Sequence, residues 1–248
     1  MIIVDFSGVA IASIFSMKGQ PIQEDLIRHL ILNTLRMYNV KYRAKFGKMV
    51  IACDTGSSWR KTVFAEYKAA RKTNREASDL DWEAIWSILN TVRDEIKENL
   101  PFKVVGFKGA EADDVVATLV ESTQEFGQYE PVMIISADKD FIQLQKYKNV
   151  SQFSPMTKKL VTDKNPRRYL QEHILRGDGG DGVPNVLSPD NVFVNPNGRQ
   201  TPLRAKQLDA WCDSFSKLGE VMDHDTYRNF IRNCPTFQTK CQQALWKV

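Results

Sequence analysis

Apolar and polar positions along this chain follow two patterns: short solid apolar runs, and longer stretches in which apolar residues recur every three or four positions. The first pattern opens the chain. Met1 to Gly8 reads MIIVDFSG, with β-favouring residues running into a carboxylate and then a small, turn-prone pair. Such a run predicts a buried parallel strand that delivers Asp5 at its C-terminal end. The pattern returns at MVIACD, ending in Asp54, and at Pro131–Ala137, where VMIISADKD continues to Asp138 and Asp140. Phe102–Phe107 reads as a shorter strand, and Gln152–Thr162 as a pair of short strands joined near Pro155.

The second pattern predicts helices. Gln23–Tyr38 carries Leu26, Leu30 and Leu35 with Ile27 and Ile31 as an apolar stripe. A further helix buries Ile85, Leu89, Val92 and Ile96, at spacings of 4, 3 and 4. Ser78 is its expected N-cap, Asp79, Asp81 and Glu83 its first-turn acids, and Pro101 its stop. Another begins near Glu111 and carries Val115, Val116, Leu119 and Val120. Short helices are expected over Phe141–Gln145 and over Tyr169–Leu175, the latter ending at Gly177. Leu187–Thr201, rich in proline and asparagine, predicts an irregular loop. From Arg204 onward Leu208, Trp211, Phe215 and Leu218 form a last helical stripe. Strands alternating with helices indicate an α/β fold with a central, mostly parallel sheet flanked by helices. A boundary near 182–203 divides an α/β body, residues 1–182, from a smaller, mainly helical region, residues 183–248.

The chemistry follows from where the acids fall. Open α/β sheets place their ligand crevice at the carboxyl ends of the strands. Asp5, Asp54, Asp138 and Asp140 converge on that edge in this reading. Glu111, Asp113 and Asp114 stand at a helix start, and Asp178 and Asp181 in the turn-rich GDGGDGVPNV. Each has a local alternative: a turn-forming aspartate, a carboxylate favoured by a helix N-terminus, or a solvated charge run. Together they are harder to explain locally, because apposed carboxylates repel unless a cation lies between them. Oxygen-only ligands suit the hard cations Mg²⁺ and Mn²⁺. Two such ions a few Å apart activate water and stabilise the leaving oxygen in phosphodiester cleavage.

Charge changes the picture through its distribution, since the net charge of +4 on 248 residues is modest. Trp59 to Arg75 holds Arg60, Lys61, Lys68, Arg71, Lys72 and Arg75 against the single acid Glu66. A solvated helix face accounts for the bases alone. Trp59, Phe64 and Tyr67 are interleaved with them, a mixture suited to contacting phosphates and stacking a base. Following Asp54 directly, the run would overhang the acidic crevice and attract a polyanion that the carboxylates repel.

No run of about 18 apolar residues is present, so no membrane-spanning helix is expected. The start lacks a basic n-region, so MIIVDFSG reads as core and not as a signal peptide. Cys53, Cys212, Cys234 and Cys241 form no CxxC pair and read as reduced thiols. The spacing of Cys212, His224, Cys234 and Cys241 does not fit the common zinc-finger patterns.

The succession VDFSG, CD with WRKTVFAEYKAARK, GAEADDVVATL, ISADKDFIQL and GDGGDGVP resembles the flap endonuclease (5′-nuclease) family, and within it the ribonuclease H branch of T4-type bacteriophages. The resemblance runs over about residues 1 to 205 and includes RHLILN, LDWE and the SPM-KK pattern. It implies a PIN-like 5′-nuclease core, a helical arch at about residues 59–82 and a helical duplex-binding region. It implies a divalent-metal-dependent nuclease, with exonuclease, flap endonuclease and ribonuclease H activity, that removes RNA primers and 5′ flaps during replication. Two Mg²⁺ ions, or Mn²⁺ in their place, would be held by Asp5, Asp54, Glu111, Asp113, Asp138, Asp140, Asp178 and Asp181, with the last two nearer the second ion. On an ideal helix Glu111 shares a face with Asp114; the family pattern favours Asp113, which fits if Glu111 lies at the helix start. Lys68 and Arg71 would stabilise transition-state charge, and Arg60, Lys61, Tyr67 and Lys72 would hold the substrate. The implied partners are DNA, RNA–DNA hybrid and flap or forked DNA. Family members can also carry terminal segments that contact single-strand DNA-binding protein or the sliding clamp. A monomer in the cytoplasm of an infected bacterial cell is expected. Gly182 stands where many cellular members have asparagine, and no hairpin glycines follow Val186.

Three rival readings remain. A haloacid-dehalogenase-type phosphatase wants a second aspartate two positions after Asp5, where this chain has Ser7. A non-catalytic, structure-specific DNA-binding protein on the same scaffold predicts lost acids. A PIN-type ribonuclease would share the acids and lack the long basic arch.

Overall fold

The computed structural model describes residues 1–15, 22–78, 80–124 and 129–217. They form two compact units: residues 1–58 with 81–166, and residues 59–80 with those from 167 onward. In this division the basic segment groups with the later part of the chain.

The first unit holds a six-stranded sheet in the order β3-β2-β1-β4-β5-β6. Its strands are β1 (Ile2–Asp5), β2 (Met49–Ala52), β3 (Lys103–Val105), β4 (Val132–Ile135), β5 (Val150–Ser154) and β6 (Lys159–Val161). The first five run parallel, and β6 returns antiparallel on β5. Ile2, Ile3 and Val4 are fully buried, which is why the first strand is apolar throughout and does not alternate.

Helices cover both faces. On one, Val115, Val116 and Val120 of a helix over Ala112–Gln124 pack with Ile3 and Ile134. Phe141 and Leu144, from a 3₁₀ helix over Asp140–Lys146, join them. On the other, Tyr38 and Tyr42 of the helix Glu24–Phe46 meet the ring of Phe153, whose side chain points opposite to Val150 and Gln152. Numbered in chain order, the helices are α1 (Phe6–Phe15), α2 (Glu24–Phe46), α3 (Arg60–Val63), α4 (Ala70–Glu76), α5 (Trp82–Asn99), α6 (Ala112–Gln124), α7 (Pro166–Arg176) and α8 (Ala205–Lys217).

Two local expectations are corrected. Ser7-Gly8 is not a turn: the strand passes straight into α1, with Asp5 accepting a hydrogen bond from the Gly8 N–H at 3.0 Å as a helix N-cap does. The cap of α5 is Asp81, which accepts from the Ala84 N–H at 2.9 Å, and not Ser78, whose hydroxyl accepts from the Leu80 N–H outside the helix. Asp79, Leu218 and the cysteines Cys234 and Cys241 lie outside the described residues.

In the second unit the basic segment forms two short helices, α3 and α4, joined through Lys68, whose φ is 56°. Phe64, Tyr67 and Val183 make a small buried cluster that ties the segment to the glycine-rich turn. Gly182 takes a φ of 73° there, in the left-handed region that glycine enters freely and asparagine more often than most other residues.

Candidate active site

In the first unit, acids gather at the carboxyl edge of the sheet. Asp5 is the last residue of β1 and only 9% exposed. Its two oxygens accept from the Gly8 N–H at 3.0 Å and the Ser136 hydroxyl at 2.9 Å. Asp54, just past β2, accepts from the Ser7 hydroxyl at 2.9 Å and from the Ala112 N–H at 2.8 Å. That second bond fixes the start of α6, so Glu111 and Asp113 flank a residue bonded to Asp54. Glu111 immediately precedes the helix, and its own N–H donates to Asp114 Oδ2 at 2.9 Å. Asp114 thus turns back to cap the helix start, a satisfied structural role.

Past β4, the Ser136 hydroxyl accepts from the Asp138 N–H at 3.1 Å while donating to Asp5. Asp138 Oδ1 accepts from the Asp140 N–H at 2.9 Å. Buried Gln152, on β5, donates to the carbonyls of Ser136 and Asp138 at 3.1 and 2.5 Å and holds the turn closed. Strand order explains the convergence: β2, β1 and β4 are neighbours and all run the same way.

The electrostatics are unusual for a carboxylate. Burial pushes the Asp5 carboxyl up to about 6, and the nearby carboxylates Asp54 and Asp138 add to the rise, against the Gly8 N–H and the Ser136 hydroxyl. The space around Asp5 is also tight: a Cβ on Gly8 would sit 2.4 Å from Asp5 Oδ2. Beside the acids, burial pushes the Cys53 thiol up to about 12, so it supplies no thiolate nucleophile at neutral pH.

Asp178 and Asp181 lie in the second unit. Asp178 Oδ1 accepts from the Gly180 and Asp181 N–H groups at 2.7 and 3.3 Å, closing the turn. Its Oδ2 is 3.9 Å from Nε2 of His173, whose ring stacks on Tyr169. Asp181 is a hub of the basic segment. It pairs with the Arg71 guanidinium, lies 3.5 Å from Lys68 Nζ and accepts from the Tyr67 hydroxyl at 2.9 Å. Its carbonyl accepts from the Lys68 N–H at 2.7 Å.

Tyr67 is therefore packed as an anchor, 3% exposed, and a contact with substrate would need that packing to open. Trp59, 40% exposed, carries the Arg60 guanidinium 4.9 Å from its ring centre. Lys61 lies on α3, and Lys72 on α4 faces Glu76 at 3.8 Å. Sequence reasoning missed the residues that position the acids: Ser7, Gly8, Ser136 and Gln152. The small residues following Asp5 and preceding Asp138 were the available signal; Gln152 gave none.

Sheet order and an acidic carboxyl edge place the chain in the class of resolvase-like α/β domains. Residues 2–173 match the family model of the 5′-3′ exonuclease N-terminal, resolvase-like domain, and the chain belongs to that nuclease family. It is 34% identical over 241 residues to ribonuclease H of Enterobacteria phage T4, an alignment spanning 93% of this chain and 78% of that one. It is 31% identical over 175 residues to flap endonuclease Xni of Shewanella sp. strain MR-4, spanning 65% of this chain and 59% of that relative's length. Among solved structures, a bacteriophage T5 flap endonuclease in complex with DNA and metal ions shares the fold, at a TM-score of 0.62 and 20% identity over 98% of this chain and 91% of that one.

Proposed function

We propose that this chain is a divalent-metal-dependent 5′-nuclease that hydrolyses phosphodiester bonds in RNA–DNA hybrids and 5′-flap DNA, and that it removes RNA primers during DNA replication. The observation that carries the reading is Asp5: a buried carboxyl, its pKa raised, with the carboxylates Asp54 and Asp138 as its charged neighbours. Such an arrangement costs free energy unless a cation compensates it. The donor set is oxygen only, which suits Mg²⁺ or Mn²⁺. Asp5, Asp54, Glu111, Asp113, Asp138 and Asp140 are the proposed ligands in the first unit, and Asp178 with Asp181 the carboxylates for a second ion.

When bound, the ions supply an activated water and neutralise charge on the scissile phosphate. The chain's own residues do the rest. Ser7, Ser136 and the Gly8 N–H orient the acids. Lys68 and Arg71, now paired with Asp181, exchange that partner for a phosphate and stabilise its developing charge. Arg60, Lys61 and Lys72 hold the strand. With Cys53 kept as a neutral thiol, hydrolysis needs no covalent intermediate and leaves a 5′-phosphate and a 3′-hydroxyl.

The test is cleavage of a nicked duplex bearing a 5′-labelled RNA or DNA flap, in Mg²⁺, in EDTA, and with Asp138→Asn. Metal-dependent release of short 5′ products, lost in the variant, is expected. Binding without cleavage in both Mg²⁺ and Mn²⁺ would favour a non-catalytic DNA-binding scaffold.

A further inference from the structure

His173 has no part in the mechanism above, yet it stands beside an acid that does. It lies in the last turn of α7, four residues after Tyr169, and the two rings stack with centres 5.8 Å apart and planes 12° from parallel. Residues four apart share a helix face, so the stack holds the plane of the imidazole. Gly177 ends the helix with a φ of 68°, and its N–H donates to the His173 carbonyl at 2.9 Å. A Cβ on Gly177 would come within 2.5 Å of the Pro184 carbonyl oxygen, so the chain returns tightly past the helix end. Asp178 and Val183 close that return with two backbone hydrogen bonds of 2.8 Å each. A helix and a paired turn thus set the backbone of both residues.

Their ligand atoms face each other. Nε2 of His173 lies 3.9 Å from Oδ2 of Asp178. That is beyond hydrogen-bond length, which ends at about 3.2 Å for nitrogen and oxygen. It fits a shared cation, because metal–nitrogen and metal–oxygen bonds of about 2.1 Å each span up to about 4.2 Å. The two oxygens of Asp178 divide accordingly: Oδ1 takes the Gly180 and Asp181 N–H groups, and Oδ2 faces the imidazole. Asp181 differs, since Arg71 engages its Oδ1, and Lys68 and the Tyr67 hydroxyl its Oδ2. In the second unit His173 is therefore better placed than Asp181 to complete a site with Asp178. Both His173 and Asp178 are half-buried, so an ion reaches them from solvent.

We propose that His173 is a ligand of the second ion, together with Asp178, and that its imidazole selects a first-row transition cation such as Mn²⁺ over Mg²⁺ at that position. The assignment deepens the nuclease reading and rests on it. Carboxylates serve Mg²⁺ and Mn²⁺ alike, whereas an imidazole nitrogen favours the transition metals and Mg²⁺ keeps to carboxylate, carbonyl and water oxygens. The position in the last turn of α7 also favours positive charge, through the carbonyl end of the helix. The competing account is an ion pair between a protonated His173 and Asp178, which contributes little at a partly exposed site.

The experiment uses the full chain and reads the metal itself. Pulsed EPR of bound Mn²⁺ detects a directly ligating imidazole through modulation by its nitrogen nucleus. Calorimetric titrations with Mn²⁺ and, separately, Mg²⁺ give the affinities, and cleavage of the flapped duplex in Mg²⁺ and in Mn²⁺ tests the nuclease. Wild type is expected to show the nitrogen modulation and His173→Gln to lose it. The variant is expected to bind one Mn²⁺ at least about tenfold more weakly, with Mg²⁺ affinity held within about twofold. Its remaining Mn²⁺ is expected to bind as in wild type, which marks the variant as folded. Modulation that persists in His173→Gln, or that is absent from a wild type that cleaves, would overturn the ligand assignment and leave the nuclease standing. Equal weakening of Mn²⁺ and Mg²⁺ would overturn the selection between them. Nitrogen modulation in a wild type that cleaves in neither metal would uphold the ligand and overturn the nuclease reading.

Discussion

Asp5 and Asp181 are both aspartates of acidic motifs, and the structure treats them oppositely. Asp181, in the second unit, is paired with Arg71, Lys68 and the Tyr67 hydroxyl. Asp5, in the first, is held by one hydroxyl and one backbone N–H, and its charged neighbours Asp54 and Asp138 repel it. A carboxylate with cationic partners is already compensated and anchors its surroundings. One buried among other carboxylates is a centre of unsatisfied charge. The comparison separates a carboxylate already held by cationic partners from one buried among like charges.

The sharpest way to break the comparison is to remove charge from the repelling group. Asp138→Asn is expected to lower kcat/KM on a flapped substrate by about 10³-fold, since metal chemistry supplies several kcal/mol of the barrier reduction; single-turnover cleavage assays read this. A smaller loss is expected when the group is displaced and not deleted. Gly8→Ala puts a Cβ where only 2.4 Å separates it from Asp5 Oδ2. A shift of that carboxylate is expected to cost roughly 10²-fold in rate, with circular dichroism unchanged.

Stability gives the third test, and its sign is set by Asp5. Its carboxyl pKa is raised in the folded state to about 6 from 3.8. The folded protein therefore holds this proton more tightly than the unfolded chain does. The contribution is most favourable below about pH 4 and is lost as pH rises through about 6. Above that window the ionised group costs about 3 kcal/mol. Without metal, Asp5→Asn is expected to be more stable than wild type at pH 8 and equal to it below pH 4, by urea denaturation, while cutting nothing. Lower stability of the variant at pH 8 would contradict the repulsion.

The mildest effect is expected on the compensated side. Asp181→Asn leaves Lys68 and Arg71 without their carboxylate and is expected to cost about 1 kcal/mol of stability. It should also steepen the salt dependence of single-strand binding in EDTA by roughly one in log–log slope. An unchanged slope would mean that these cations do not reach phosphate.

Much of this architecture was legible because it follows from simple patterning. The solid, β-branched apolar runs of β1, β2 and β4 read as buried parallel strands, and the parallel direction brings Asp5, Asp54 and Asp138 to one edge. What was not legible depends on contacts between distant residues. Ser7-Gly8 looks like a turn until Asp5 is seen to cap α1. Ser78 and Asp81 are equally good caps in isolation, and the register of Ile85 decides between them. Asp114 matches the helical spacing from Glu111 better than Asp113 does, yet its carboxylate is engaged by the Glu111 N–H. Tyr67 reads as a stacking ring within a basic run, and only the packing with Phe64 and Val183 shows it buried. Gln152 carries no local signal at all, because its role lies in the carbonyls it reaches across from β5.

The most direct measurement is calorimetric titration of the full chain with Mn²⁺ at pH 7.5 and again near pH 6, for wild type and for Asp54→Asn with Asp138→Asn. The account predicts saturable binding by wild type, weaker near pH 6 and accompanied there by proton release as Asp5 ionises, and loss of that binding in the double variant. Equal binding by wild type and the variant, or no binding by either, would contradict the claim that the carboxyl edge of this sheet is a cation site.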